Sequence, residues 1–197
     1  MLRKIRFISS VAFLYILTIG TSAGLLYSSH LFGAPVWAAA KPQVVHHKPA
    51  PLPPKVISGK PVRIVIASAG IDLTIDDGYY NANDGSWTLS DTHAQYAVIT
   101  ALANDHAGTT FIYGHGTDAV LGKIGSNPPP TGTIAQVYTD TNHVFSYALQ
   151  TVSNLQPSDT SLFDDTASGP PRLIVQTCTG IFSEWRTMFT FTLTGVN

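Results

Sequence analysis

From residue 61 onward, the chain consists of short β-branched runs that are separated by turn-forming residues. The clearest runs span 62–67, 71–75, 109–115, 132–140, 144–152, 172–178 and 184–193. Residues 94–103 are ambiguous between strand and helix, and residues 79–87 form a polar loop rich in turn formers. Residues 118–124, opened by Asp118 as a cap, predict one or two helical turns. About eight short strands with regular turns predict a mainly β domain folded as a closed barrel or a sandwich.

The charge distribution argues against nucleic-acid binding by this body. Residues 61–197 carry four Lys/Arg and twelve acids, whereas residues 1–60 carry seven Lys/Arg and no acid. A body with four cations cannot neutralise several phosphates. The basic arm fits a membrane-proximal segment instead.

The N-terminus predicts a membrane anchor. Arg3, Lys4 and Arg6 precede residues 7–27, which include no charged residue. A helix of that length would span about 31 Å, close to the thickness of the hydrocarbon core of a bilayer. Residues 1–6 are then cytoplasmic, and the rest of this single-pass protein lies outside the cell membrane. A cleaved signal peptide ending near Ala40 is the alternative, although that site is late after the apolar run.

Residues 28–60 predict an extracytoplasmic stalk that leads to a folded domain at 61–197. Five prolines, four lysines and no acid lie in 41–60, a composition that favours extended, semi-rigid chain. We interpret the His46–His47 pair as solvated residues of this stalk rather than metal ligands.

Cys178 is the only cysteine of the chain, so it can be a buried filler, a dimerising group or a nucleophile. It ends an apolar β-branched run, His115 ends another between two glycines, and Arg186 lies eight residues after the cysteine. Strand alternation predicts that Cys178 and Arg186 point outward from neighbouring strands. His115 shares its strand face with Phe111 and Tyr113, and alternation alone does not assign its direction. Arg172 is a second candidate cation, at the far end of the cysteine strand.

These three side chains could together break an amide bond. A free thiol is mostly protonated at neutral pH, and an imidazole can take that proton and return it to a leaving amine. Arginine stays charged and can hold a carbonyl or an oxyanion. The combination supports cleavage through a thioester, and a thioester offered an amine gives transpeptidation.

Three separated motifs resemble the sortases, which are cysteine transpeptidases of bacterial envelopes. They are Tyr-Gly-His115 after a strand, Leu-Ile-Val-Gln-Thr-Cys178, and Arg186 on the following strand, in that order. The likeness covers about residues 61–193 and includes the anchor and stalk before the domain. The short connection between Cys178 and Arg186 is more similar to class D or class F than to class A. Gly116-Thr117-Asp118 after the histidine departs from the family pattern.

The resemblance implies an eight-stranded sortase-type β-barrel with one or two short helices and no cofactor. Cys178 would attack a sorting motif near the C-terminus of a secreted protein, and His115 would act as general acid and base. Arg186 would orient the motif and support the oxyanion, while Thr177 would line the same pocket through its backbone. An amine of a peptidoglycan precursor or a pilin would accept the acyl group, and the loop 153–171 would shape the groove.

Other interpretations of the same residues stay open. An L,D-transpeptidase usually has its arginine closer to the cysteine, and a papain-like amidase usually has cysteine before histidine. A non-catalytic, membrane-tethered β-domain for adhesion or a pilus is a rival of another class. Calcium could bind three aspartates that we interpret as solvated turn residues: Asp72, Asp76 and Asp77. His93, His106 and His143 are expected to be surface or packing residues.

Overall fold

The computed structural model describes residues 55–197, and these form short strands with little helix. The strands are β1 (Ser58–Gly59), β2 (Pro61–Ile66), β3 (Ile71–Gly78), β4 (Tyr80–Asn81), β5 (Ser86–Trp87), β6 (Ala94–Ala97), β7 (Ala103–Asn104), β8 (Thr109–Gly114), β9 (Ile134–Thr139), β10 (Val144–Leu155), β11 (Arg172–Thr179) and β12 (Trp185–Val196). The helical segments are α1 (Gly122–Ser126) and two 3₁₀ turns, Ala67–Ala69 and Ser161–Phe163.

Eight of the strands close into a barrel in the order β10-β12-β11-β8-β6-β3-β2-β9, and β9 pairs with β10 to close it. Most neighbours are antiparallel, but β8 runs parallel to β11 and β3 runs parallel to β6. Closure pairs the edges that an open sheet would expose. The predicted mainly β, eight-stranded barrel is confirmed, and the sandwich alternative is wrong.

The barrel interior is filled by the apolar face of each strand. Phe189 and Phe191 of β12 point inward, as their alternation predicts, and are fully buried together with Val175 of β11 and Ile64 of β2. Burying one such side chain stabilises the fold by roughly 1.5–3 kcal/mol. Because the interior is packed with side chains, polar chemistry has to lie on the outer surface.

A second apolar cluster covers part of the outer face of the barrel. Phe111, Tyr113, Ile174 and Met188 project outward from β8, β11 and β12, where they are buried. The covering side chains come from the β4–β5 hairpin, from the end of β10 and from the connection between β10 and β11. They are Trp87, Leu155, Leu162 and Phe163. The outer surface of these strands is therefore the floor of a covered groove.

Two local predictions are wrong. The helix is not 118–124 but Gly122–Ser126, and Asp118 does not cap it, because the backbone N–H groups of Val120 and Gly122 both donate to Thr117 in a preceding turn. The polar loop at 79–87 is instead the β4–β5 hairpin, whose turn includes Gly85 at φ 73°. The ambiguous 94–103 segment is strand only at Ala94–Ala97.

The predicted cytoplasmic segment 1–6, the anchor 7–27 and most of the stalk 28–60 lie outside the described residues. Ser58–Gly59 forms a strand pair with β7, and the Ile57 N–H donates to Asp105 Oδ1 at 2.9 Å. The folded domain therefore includes residues that precede position 61. Across residues 55–197, no helix is long and apolar enough to cross a membrane.

Candidate active site

Three adjacent strands bring His115, Cys178 and Arg186 into one row. Cys178 and Arg186 are direct partners in the antiparallel β11–β12 pair. In the parallel β8–β11 pair Gly114 lies opposite Thr177, so His115 follows beside Cys178. Phe111 and Tyr113, which share the strand face of His115, point outward. The outward direction predicted for Cys178 and Arg186 thus holds for all three residues.

The glycines that flank the histidine allow the β8 exit to lie against β11. A Cβ on Gly116 would collide with the carbonyl oxygen of Cys178 and would lie 3.1 Å from its carbonyl carbon. A Cβ on Gly114 would lie 2.7 Å from Val120 Cγ1. Contacts of this length are well below van der Waals separation. Glycine at 116 therefore lets the segment that carries His115 approach the nucleophile strand this closely, and glycine at 114 leaves room for the Val120 side chain.

The β11–β12 loop holds the guanidinium of Arg186. The Arg186 Nη1 donates to the Ser183 carbonyl at 3.0 Å and to the Trp185 carbonyl at 3.4 Å. These are its hydrogen bonds to the described residues, so the remaining N–H groups can serve a substrate. Glu184 accepts the Phe182 N–H at 2.9 Å, and hydrogen bonds from its own and neighbouring backbone N–H groups lower the pKa of this carboxyl. The loop geometry is therefore tied to an ionised glutamate.

The imidazole of His115 has one carboxylate nearby. Its Nε2 lies 3.7 Å from Asp91 Oδ1, which is ion-pair range but longer than a hydrogen bond. The Asp91 side chain is 99% exposed, so solvent screens this attraction. The contact therefore contributes little to holding the imidazole in place.

A cavity of about 290 Å³, which we call the aromatic cavity, opens beside the three residues. Its lining includes His115, Cys178, Arg186, Trp87 and Phe163. The last two rings stack with centroids 5.5 Å apart and a 24° interplanar angle. The Trp87 and Tyr113 rings are in a T-shaped arrangement, with their centroids 5.2 Å apart. The cavity therefore combines an aromatic wall with the polar side chains of His115, Cys178 and Arg186.

The sequence prediction missed Trp87 and Phe163 as groove residues. Because residues 79–87 were interpreted as a polar loop, Trp87 was not predicted to line the cavity. Asp84-Gly85 is nevertheless a turn signal typical of hairpins. Phe163 lies inside the connection predicted to shape the groove, and it does line the cavity.

Thr177 lies next to the nucleophile but points inward. Its side chain is fully buried, and its hydroxyl donates to the Gly114 carbonyl at 3.4 Å. It therefore braces β8 against β11. A substrate contact through its backbone stays a prediction.

The other polar candidates have structural partners. Asp72 accepts two hydrogen bonds from Arg63 at 2.6 Å, which lower the pKa of this carboxyl. Asp76 bonds to His93 at 2.8 Å, and Asp77 accepts from Lys60 at 3.2 Å. These aspartates lie in strand β3 and not in a turn, which corrects that part of the sequence interpretation. In the part of the chain that the structure describes, no three His, Cys, Asp or Glu side chains group as metal ligands.

Arg172, the alternative cation, lies at the opposite end of β11. Its Nε donates to Thr109 Oγ1 at 2.6 Å, at the start of β8. Arg172 therefore lies six residues before Cys178 along the same strand. The arginine that meets Cys178 is therefore Arg186.

Scans of the sequence against protein-family models and against curated proteins gave no match. The fold, in contrast, matches solved structures of sortases. Sortase C2 of pilus island 1 from group B Streptococcus aligns over 68% of this chain and 73% of its own, at 14% identity and a TM-score of 0.55. Sortase E1 from Streptomyces coelicolor aligns over 71% of this chain and 90% of its own, at 19% identity and a TM-score of 0.55. Sortase A from Listeria monocytogenes aligns over 70% of this chain and 89% of its own, at 18% identity and a TM-score of 0.53.

At these identities the likeness concerns the fold, and the chain has the sortase fold. The three neighbours carry the class names C, E and A, so they lend no support to the predicted likeness to class D or class F.

Proposed function

We propose that the protein is a membrane-anchored cysteine transpeptidase of the sortase type. One observation carries the proposal: His115, Cys178 and Arg186 lie in a single row across β8, β11 and β12, at the mouth of the aromatic cavity. A domain that only binds a partner does not need a thiol, an imidazole and a guanidinium at one cavity. The sortase fold supports the same conclusion.

In the first half-reaction, the Cys178 sulfur attacks the backbone carbonyl of a sorting motif. The C–S bond forms, and the free N–H groups of Arg186 stabilise the negative charge that develops on the carbonyl oxygen. His115 receives the thiol proton and donates it to the departing amine as the C–N bond breaks. The products are a thioester on Cys178 and the released C-terminal fragment.

In the second half-reaction, an amine attacks the thioester carbonyl carbon. The new C–N bond forms, the C–S bond breaks, and the amine proton returns through His115 to the sulfur. The half-buried rings of Trp87 and Phe163 shield one side of the thioester from bulk water, which favours aminolysis over hydrolysis.

The cellular setting follows from the sequence. We infer that residues 7–27 anchor the chain in the cell membrane and that the stalk carries the catalytic domain outside. The donor is the C-terminal sorting signal of a secreted protein, and the acceptor is an amine of a peptidoglycan precursor or a pilin. The short Gly180–Glu184 connection still favours a class D or class F assignment over class A.

A library of sorting-motif peptides tests the proposal with the full-length chain in detergent. We expect peptide hydroxamates when hydroxylamine is added, read by mass spectrometry, and none from Cys178→Ala. Hydroxamate formation by Cys178→Ala would contradict the mechanism. If the unmodified protein leaves the whole library intact, the non-catalytic β-domain is the better explanation.

A further inference from the structure

Cys178 borders a second cavity, on the side opposite the aromatic cavity. This cavity measures about 230 Å³, and we call it the glycine cleft because Gly116, Gly122, Gly125 and Gly180 line it. The rest of its lining is Cys178, Asp118, Ser126, Thr179 and Ser183. Neither Trp87 nor any other aromatic residue contributes. The nucleophile thus lies where an apolar cavity and a polar cleft meet.

The glycines of this cleft are packed closely against the residues behind them. A Cβ on Gly122 would lie 2.6 Å from the Gly116 carbonyl oxygen, and a Cβ on Gly125 would lie 2.9 Å from the Thr179 methyl group. These contacts hold α1 against the end of β11.

The two cavities differ in charge. His115 and Arg186 line the aromatic cavity, which is the side where an oxyanion would need stabilising. Asp118 is the charged side chain among the residues that line the glycine cleft. A carboxylate and backbone carbonyls accept hydrogen bonds, so this side favours a cation that donates them.

The cleft also continues away from the nucleophile. Asp118 and Ser126 line a further cavity of about 490 Å³, which extends to Ser68 and to the prolines Pro128–Pro130. Lys123 also lines this cavity, and its Nζ donates to the Gly70 carbonyl at 3.2 Å. Asp118 therefore lies at the junction of the two spaces. An extended acceptor could occupy the larger cavity and direct its terminal amine past Asp118 toward Cys178.

We propose that the glycine cleft admits the acceptor and that Asp118 binds its primary ammonium group. This inference rests on the proposed function and adds the cleft by which the second substrate enters and the residue that binds its cationic amine. The ammonium loses one proton to solvent, and the resulting amine attacks the thioester on Cys178 as described above. Asp118 acts by raising the local concentration of the cation and by orienting it.

Two acceptors of different charge test this assignment. Glycinamide carries an α-amino group with a pKa near 7.7–8.0, so it is mostly cationic at neutral pH. Hydroxylamine is mostly uncharged at that pH. The full-length protein is given the pooled peptide library and both acceptors together, and mass spectrometry measures the ratio of peptide glycinamides to peptide hydroxamates.

Asp118→Asn is expected to lower this ratio about fivefold, the upper range for one partly screened ion pair. Added salt should lower the ratio of the unmodified protein and change that of the variant much less. The matched control is Asp140→Asn, which removes the same charge in the β9–β10 turn, where Asp140 lines none of these cavities.

The outcomes separate the two proposals. An unchanged ratio in Asp118→Asn, with normal hydroxamate formation by the unmodified protein, overturns the role of Asp118 alone. An equal decrease in Asp140→Asn overturns it as well, because the effect would then come from net charge. If neither product forms, the proposed function fails and this inference falls with it.

Discussion

Gly116→Ala should disable the site by separating His115 from Cys178. The added Cβ would overlap the Cys178 carbonyl oxygen and lie 3.1 Å from its carbon, and both atoms belong to backbone that is fixed in the barrel. A relaxed contact between carbon and oxygen is about 3.3 Å or more, so the segment that carries the histidine must move by on the order of 1 Å. A misplacement of about 1 Å at a catalytic group costs roughly a hundredfold in rate.

The expected loss is therefore about a hundredfold in kcat/KM for peptide hydroxamate formation, equivalent to about 2.7 kcal/mol of activation free energy. Overpacking should also reduce the free energy of unfolding by about 1–3 kcal/mol, so thermal unfolding is measured in parallel. Gly195→Ala is the control, because no atom lies within 4 Å of the Cβ it would add. Nearly normal activity in a folded Gly116→Ala protein would refute the argument that this glycine sets the distance between histidine and cysteine.

Three further predictions concern the walls of the site. Arg186→Lys should lower kcat/KM about a hundredfold, because lysine cannot reproduce the guanidinium fork. Arg172→Lys is the matched control, and an equal loss there would contradict the assignment of Arg186 as the catalytic arginine. Trp87→Ala should raise the KM of the donor peptide about tenfold, because its stacking on Phe163 is lost; an unchanged KM would exclude this wall from donor binding. Hydrogen bonds lower the pKa of Glu184, so its stabilisation is fully present above the ordinary glutamate value of 4.5 and is lost as pH falls through the lower folded value. Glu184→Gln should therefore flatten the acid side of the profile of melting temperature against pH, and an unchanged profile would contradict the role given to this carboxylate.

The strands and the Cys178–Arg186 pair were predictable because both depend on local patterns, whereas the choice of a barrel over a sandwich came from the family resemblance. Strands such as Arg172–Thr179 are β-branched and alternate, and a short connection to Trp185–Val196 makes a hairpin. Pairing across a hairpin follows from its register, so the two side chains were expected to be neighbours.

The position of His115 beside them could not be derived in the same way. The strand β8 pairs in parallel with β11, about sixty residues later, and no local pattern encodes that neighbour. The order of the three motifs supplied this relation only through a family resemblance. What physically fixes it is the close approach of Gly116 to Cys178, which is a tertiary contact.

The misplaced helix has a similar cause. Asp118 is a good cap by propensity, but Gly122 and Gly125 pack tightly against the preceding turn and β11, and this packing determines where α1 begins. Tertiary contacts therefore override the local preference. The same displacement leaves the Asp118 carboxylate free to line the glycine cleft.

The central claim is that Cys178 carries the donor as a thioester. The direct measurement is mass spectrometry of the full-length protein after reaction with the peptide library and an acid quench, followed by peptide mapping. We predict an acyl adduct on the peptide that includes Cys178, removed by hydroxylamine and absent from Cys178→Ala. Peptide cleavage without such an adduct, or an adduct on another residue, would contradict the account.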